Sequence, residues 1–276
     1  MKAALLQLNS GDDPAANLLV TADAIRKAAD NGAGFILTPE VTNCVSTSRA
    51  HQETVLQPEA RDQTLAGLRA LVSDLKVWIL IGSLALKTDD EDGRFANRSF
   101  LIDPMGDIRA WYDKIHMFDV QISETESYKE SAGYRSGHRA VASDTPFGTV
   151  GMTICYDVRF PHLYRDLAQA GVQILTVPSA FSPVSGAAHW ETLLRARAIE
   201  TGCYVLAPAQ CGTHAAQTGK SRKTYGYTMA VSPWGEILCQ AKEMPTIEYV
   251  DLNMSNVAKA RQRIPALRHD RSYDGP

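Results

Sequence analysis

No apolar run in this chain reaches the roughly 18 residues that a membrane-spanning helix needs, which excludes an integral helical membrane protein. An excess of base is missing as well. The 28 Lys and Arg against 31 Asp and Glu leave a formal net charge of −3, so no basic field awaits a nucleic acid. Cysteine is sparse: positions 44, 155, 203, 211 and 239 form an odd, widely spaced set without a C-x-x-C pair, which fits reduced thiols better than a disulfide framework. His116, His162 and His189 fall in no metal-ligand spacing such as H-E-x-x-H, and Cys203 with Cys211 has no zinc-finger partner, so no metal and no cofactor is expected. Repeats, low-complexity tracts and linkers are also lacking. The chain therefore reads as one domain over 1–276, with a core at about 2–252 and a C-terminal helix and tail over 253–276. Met1-Lys2-Ala3-Ala4-Leu5-Leu6-Gln7-Leu8-Asn9 has too short an apolar run for a signal peptide and no cleavage pattern; it reads as a first strand, and the expected compartment is the cytoplasm.

What is present is an alternation of strand and helix patterns. Residues 2–9 predict a strand, and Asp13-Pro14 opens an amphipathic helix to about Asp30. Phe35–Thr38 predicts a buried strand, 62–75 a helix, and Val77–Leu84 another strand. Ala96–Ile102 and Asp107–Tyr112 flank the turn Asp103-Pro104-Met105-Gly106 as a hairpin, so the sheet is mixed. From Lys114 to Phe147 no clean period appears, and a long loop is expected over 119–137. Helices follow at about 162–170 and 187–201, strands at Val172–Val177 and Cys203–Pro208. Three antiparallel strands are then expected at Gly226–Val231, Glu236–Ala241 and Thr246–Asp251, and a last helix near Val257–Arg263.

Chemistry concentrates at three strand ends. The run Thr149–Ile154 ends at Cys155, and Tyr156-Asp157-Val158-Arg159-Phe160-Pro161 leads into a helix: strand, sharp turn, helix, a place where an α/β protein can hold a nucleophile. Glu40 ends the strand in Gly34-Phe35-Ile36-Leu37-Thr38-Pro39-Glu40, and Lys114 ends the one in Trp111-Tyr112-Asp113-Lys114-Ile115-His116. Alone, each has a plainer reading as a packed thiol, an exposed acid and a solvated lysine. Together, at the carboxyl ends of strands, they stand where open α/β sheets bind ligands.

On these residues, with Pro178-Ser179-Ala180-Phe181, the helix from His189-Trp190-Glu191 to Glu200 and Ala209-Gln210-Cys211-Gly212, the chain resembles the nitrilase, or carbon–nitrogen hydrolase, superfamily, and most its deaminated glutathione amidase branch. The resemblance covers nearly the whole chain. It implies an α/β fold with mixed sheets in a four-layer α-β-β-α sandwich, which periodicity does not distinguish from three layers. It also implies a cofactor-independent amidase working through a Glu–Lys–Cys triad, assembled as a homodimer or higher homo-oligomer.

Hydrolysis of an amide by a thiol needs a base, an oxyanion site and an acid for the leaving amine. Glu40 is the candidate base, provided that burial raises its pKa and a cation lowers that of the thiol. Lys114 is that cation, and with the backbone N–H of Tyr156 it can hold the oxyanion. A second Glu is implied by the family; Glu124, Glu126 and Glu130 compete, and Tyr128-Lys129-Glu130-Ser131 selects Glu130. Arg159 suits a planar carboxylate, and the resemblance places it at the 2-oxo acid end of the substrate; an internal salt bridge to Asp157 is the alternative. Phe181 would form an apolar wall. Asn97-Arg98-Ser99 is a glycosylation sequon in form only. The expected reaction takes a small-molecule amide, deaminated glutathione, to 2-oxoglutarate and cysteinylglycine. Alternatives are an omega-amidase acting on 2-oxoglutaramate, a carbamoylase, and an idle nitrilase-like scaffold.

Overall fold

A computed structural model describes every residue except 123, 125 and 276. In chain order, β1 (Lys2–Gln7) leads to α1 (Pro14–Asp30), β2 (Phe35–Leu37), α2 (Arg49–Val55), α3 (Gln63–Leu75), β3 (Trp78–Leu86), β4 (Ala96–Ile102) and β5 (Ile108–Asp113). The ribbon β6 (Asp119–Gln121) and β7 (Ser127–Lys129) precedes β8 (Val141–Thr145), β9 (Gly148–Met152), α4 (Pro161–Gln169), β10 (Ile174–Thr176), α5 (Pro183–Thr201) and β11 (Tyr204–Ala207). A second ribbon, β12 (Cys211–Thr213) and β13 (Lys223–Tyr225), is followed by β14 (Met229–Val231), β15 (Ile237–Gln240), β16 (Thr246–Asp251) and α6 (Ser255–Arg263).

Two six-stranded mixed sheets carry the fold, ordered β16-β1-β2-β3-β4-β5 and β15-β14-β11-β10-β9-β8. Alternation along the first sheet divides its side chains between two faces. Ala4, Leu6, Ile36, Ile79 and Phe100 meet Ile25 of α1 and Leu68 of α3. Leu5, Leu37, Leu80 and Leu101 instead join one cluster with Val150, Met152 and Val205 of the second sheet and with Leu163 and Leu194 of α4 and α5. Both faces of both sheets are thus covered, which is the four-layer α-β-β-α sandwich. Each fully buried Leu or Ile contributes on the order of 2 kcal/mol. Asp13 caps α1 through the N–H groups of Ala15 and Ala16, with Pro14 at the first helical position, as that dipeptide foretells.

Two expectations give way, and one helix appears where the sequence pattern predicts none. The segment 119–137 is not one loop: β6 pairs with β7, and Glu130–Ala132 forms a 3₁₀ turn, although residues 123 and 125 of this stretch lie outside the described residues. The polar stretch before α3 holds α2, capped by Ser48, which is too short and too polar to show a period. Of the last three strands, β14 and β15 pair together, but β16 crosses to the first sheet and lies antiparallel to β1, Lys2 opposite Asp251. The tail turns back on α4, where Arg165 and the Gln169 amide both bond Asp270.

Candidate active site

Parallel β2 and β3, with β4 and β5 each reversing direction, bring the carboxyl ends of β2 and β5 to one edge of the first sheet. Glu40 follows β2 and Lys114 follows β5, so both acid and ammonium leave from that edge. The turn at Glu40 is tightly built: Val41 has φ +46°, its N–H donates to Ser83 Oγ at 2.8 Å, and the Gln210 amide donates to the Glu40 carbonyl at 3.1 Å. Gly82 permits this crowding, since a Cβ there would stand 2.0 Å from the Thr38 carbonyl oxygen and 2.5 Å from that of Pro39.

Cys155 comes from the second sheet. It sits past β9 at φ +49°, left-handed for a residue with a Cβ, a conformation costing on the order of 1–3 kcal/mol that clusters at functional sites. Its N–H donates to the Pro178 carbonyl at 3.0 Å. The residues after it form a 3₁₀ turn, Cys155–Arg159, and α4 begins only at Pro161. Beneath the turn, the fully buried Asp157 carboxylate accepts from Ile154 N–H at 2.9 Å, Tyr112 O–H at 2.7 Å and His116 N–H at 3.0 Å, with His116 Nδ1 at 2.7 Å. Tyr112 and His116 flank Lys114, so Asp157 ties the strand end bearing the ammonium to the turn bearing the sulfur.

The three groups meet. Lys114 Nζ donates to Glu40 Oε1 at 2.8 Å and to both Glu130 oxygens at 2.9 Å. Glu40 Oε2 accepts the Ala180 N–H at 2.8 Å, and the Cys155 thiol faces the same cavity as the Glu40 carboxylate. Glu130 also accepts the Phe118 N–H at 2.6 Å. Its rivals stand elsewhere: Glu126 accepts from the Tyr128 and Ser182 hydroxyls, each at 2.9 Å, and Glu124 is exposed.

Burial is the largest influence on each member. It would raise the Glu40 carboxyl, but the Lys114 ammonium beside it, with a smaller pull from Arg222, holds it below its ordinary 4.5. Burial would likewise strip Lys114 of its proton, yet Glu130 and Glu40 keep it firmly cationic. The thiol is pushed far up by burial and by the Glu40 charge, and Lys114 only partly opposes this. The expected directions for acid and thiol are thus reversed. Two carboxylates surround one ammonium, so a thiolate would add a second uncompensated charge to a dry site, and the proton stays on sulfur.

Tyr156 and Phe181 line a cavity of about 380 Å³ together with Glu40, Lys114, Glu130 and Cys155, a volume within the range of small-molecule sites. Arg159 stands behind this lining, 5.8 Å from the Tyr156 ring and 5.5 Å from that of Phe181. It does not pair with Asp157; its nitrogens lie 3.3 Å from His189 Nδ1. Among the described residues, no group of three or more His, Cys, Asp and Glu side chains could hold a metal ion.

Two contributors went unread in the sequence. Asn97, set aside as a sequon, bridges the carboxylates, its amide donating to Glu40 at 2.9 Å and to Glu130 at 3.4 Å. Arg222 lines the cavity from a polar loop that carries no motif. Only the position of Asn97 in a strand whose second half, Phe100-Leu101-Ile102, is apolar and buried could have signalled it.

A thiol beside a hydrogen-bonded carboxylate and ammonium at the seam of an α-β-β-α sandwich defines a hydrolase of C–N bonds other than peptide bonds. The carbon–nitrogen hydrolase family matches residues 2–262, and the chain belongs to that family. It is 39% identical over 276 residues to the deaminated glutathione amidase of Yersinia enterocolitica, covering 97% of this chain and 92% of that protein. The human deaminated glutathione amidase is 34% identical over 271 residues, covering 97% and 81%. Among solved structures, the Caenorhabditis elegans NitFhit protein superposes with a TM-score of 0.90 at 34% identity, over 98% of this chain and 65% of that one. Saccharomyces cerevisiae Nit3, a member of branch 10 of the nitrilase superfamily, gives 0.85 at 27% identity, over 98% and 96%.

Proposed function

We propose that this enzyme hydrolyses deaminated glutathione to 2-oxoglutarate and cysteinylglycine through a Cys155 thioester. The observation that carries this is the convergence of the Cys155 thiol, the Glu40 carboxylate and the Lys114 ammonium on one cavity, acid and ammonium hydrogen-bonded at 2.8 Å. The relatives named for that reaction support the substrate.

With thiol neutral and acid ionised, proton transfer accompanies attack instead of preceding it. Cys155 Sγ bonds the amide carbon while its proton passes to Glu40, and the carbonyl electron pair moves onto oxygen. Lys114 Nζ and the Tyr156 N–H hold that oxyanion; one such donor is worth roughly 10²–10³ in rate. Glu40 then returns the proton to the nitrogen, the C–N bond breaks and the amine leaves. Water attacks the thioester and gives its proton to Glu40, and the thiol is regenerated as the acid departs. Glu130 orients Lys114 and the reacting amide or water. Phe181 walls the 2-oxo acid end, and Arg159, set behind Tyr156 and Phe181, lends positive charge to that side without lining the cavity.

The reading extends to a single domain over 1–276, a homodimer and a cytoplasmic setting; no described helix is long and apolar enough to cross a membrane. Intact-mass spectrometry after mixing with substrate should show an acyl adduct on the wild type and none on Cys155→Ala. Turnover surviving that substitution refutes the thioester route.

A further inference from the structure

The cavity wall on the Glu40 side ends in a guanidinium. Arg222 stands one residue before β13, lines the cavity, and donates through Nη2 to the Ala180 carbonyl at 2.8 Å. Its carbon lies 6.0 Å from the Tyr128 ring. Of the other cations lining the cavity, Lys114 is paired with Glu40 and Glu130 and Arg49 with Glu53, while Lys129 lies exposed. Arg222 forms no ion pair with any described carboxylate: the lining acids Glu40 and Glu130 are bonded to Lys114, and Glu126 is engaged with the Tyr128 and Ser182 hydroxyls. A half-buried guanidinium using one N–H on a carbonyl keeps the others for a planar anion.

The side of the sulfur on which it stands decides which anion. Ala180 donates its N–H to Glu40 Oε2 and accepts Arg222 at its carbonyl, so a single residue separates Arg222 from the carboxylate that carries the proton. The leaving nitrogen must meet Glu40 to be protonated, and the leaving group therefore runs along this wall. Arg159 stands behind Tyr156 and Phe181, outside the cavity lining, and is not placed to take that anion. The loop bearing Arg222 is fastened to another segment of the lining, where Thr47 Oγ1 donates to the Lys220 carbonyl at 2.7 Å.

We propose that Arg222 is the seat for a carboxylate at the far end of the leaving group, and so makes the enzyme selective for amides whose departing amine is an acidic dipeptide over amides that release ammonia. This rests on the function proposed above. In deaminated glutathione that carboxylate belongs to glycine.

Two substrates isolate the interaction: deaminated glutathione and its analogue with a glycine carboxamide in place of the carboxylate. Wild type should prefer the acid by about 30-fold in kcat/KM, mostly through KM, as expected for a charged hydrogen bond. In Arg222→Met the preference should shrink to within about threefold, with Arg222→Lys between. Equal losses on both substrates in Arg222→Met would mean that Arg222 only buttresses the Ala180 carbonyl, and would overturn the seat; so would a wild type without preference. Should Arg222→Met fail to fold, Arg222→Lys decides: an undiminished wild-type preference there overturns the planar seat, and a reduced one supports it. A wild type that hydrolyses 2-oxoglutaramate but neither dipeptide amide refutes the substrate itself, which separates that failure from a failure of Arg222.

Discussion

At the scale of single residues, the resting site holds a protonated thiol against an ionised acid. The thiol sits above its ordinary 9.0 because burial and Glu40 disfavour a second negative charge. Iodoacetamide, which reacts with thiolate, should therefore alkylate Cys155 at pH 7.5 at least about tenfold more slowly than a free thiol of pKa ~8.5, and the rate should keep climbing through pH 9. A plateau below pH 8 would contradict the charge arrangement. Asn97 has no proton to transfer, but it fixes the spacing of Glu40 and Glu130. Asn97→Ala should lower kcat by about 10–100-fold, measured at saturating substrate, because small misplacements of reacting groups are costly. Glu40, Lys114 and Cys155 were legible because each closes an apolar run, and Glu130 because its neighbours matched a family pattern. Asn97 and Arg222 were not: nothing local marks a residue whose partners come from distant segments, 57 positions away for Asn97 and Glu40.

At the scale of elements, the helices of three turns or more were readable from their period, and their starts from residues such as Asp13 and Asp62, which cap α1 and α3. Short elements were not, because three residues of β6 or β12 carry too little alternation to be recognised. The β12–β13 ribbon matters because it delivers Arg222, and it is pinned by buried His214. The ring bonds the Ser10 carbonyl through Nδ1 and the Thr224 hydroxyl through Nε2, each at 2.7 Å. Burial lowers the His214 pKa from 6.5 to about 4. The folded protein thus binds fewer protons here than the unfolded chain, and stability present above pH 6.5 is lost as pH falls toward 4. The loss is on the order of 3 kcal/mol. Urea midpoints for wild type should drop between pH 7.5 and 4.5 by clearly more than those of His214→Asn; parallel curves would show that this ring is not the group titrating.

At the scale of the whole molecule, the resemblance supplied the second sheet layer, since strands buried on both faces read alike in three layers and in four. The path of β16 to the opposite sheet was beyond any local pattern, because a strand run does not name its partner. On the exterior, Ile199 (56% exposed), Trp234 (42%) and Ile264 (59%) surround a recess of about 910 Å³ between α5, the β14–β15 turn and α6. Exposed apolar patches of this kind mark association surfaces. Sedimentation at micromolar concentration should give a dimer or larger species, and Ile199→Glu should shift it toward monomer; a monomeric wild type would remove the homodimer from the proposal. The division of labour between the sheets has a further outcome. Acid and ammonium ride on one plate and sulfur on the other, so turnover reports how the plates are aligned. Dilute urea that lets them slip, with every strand still formed, should silence the enzyme before circular dichroism registers any change.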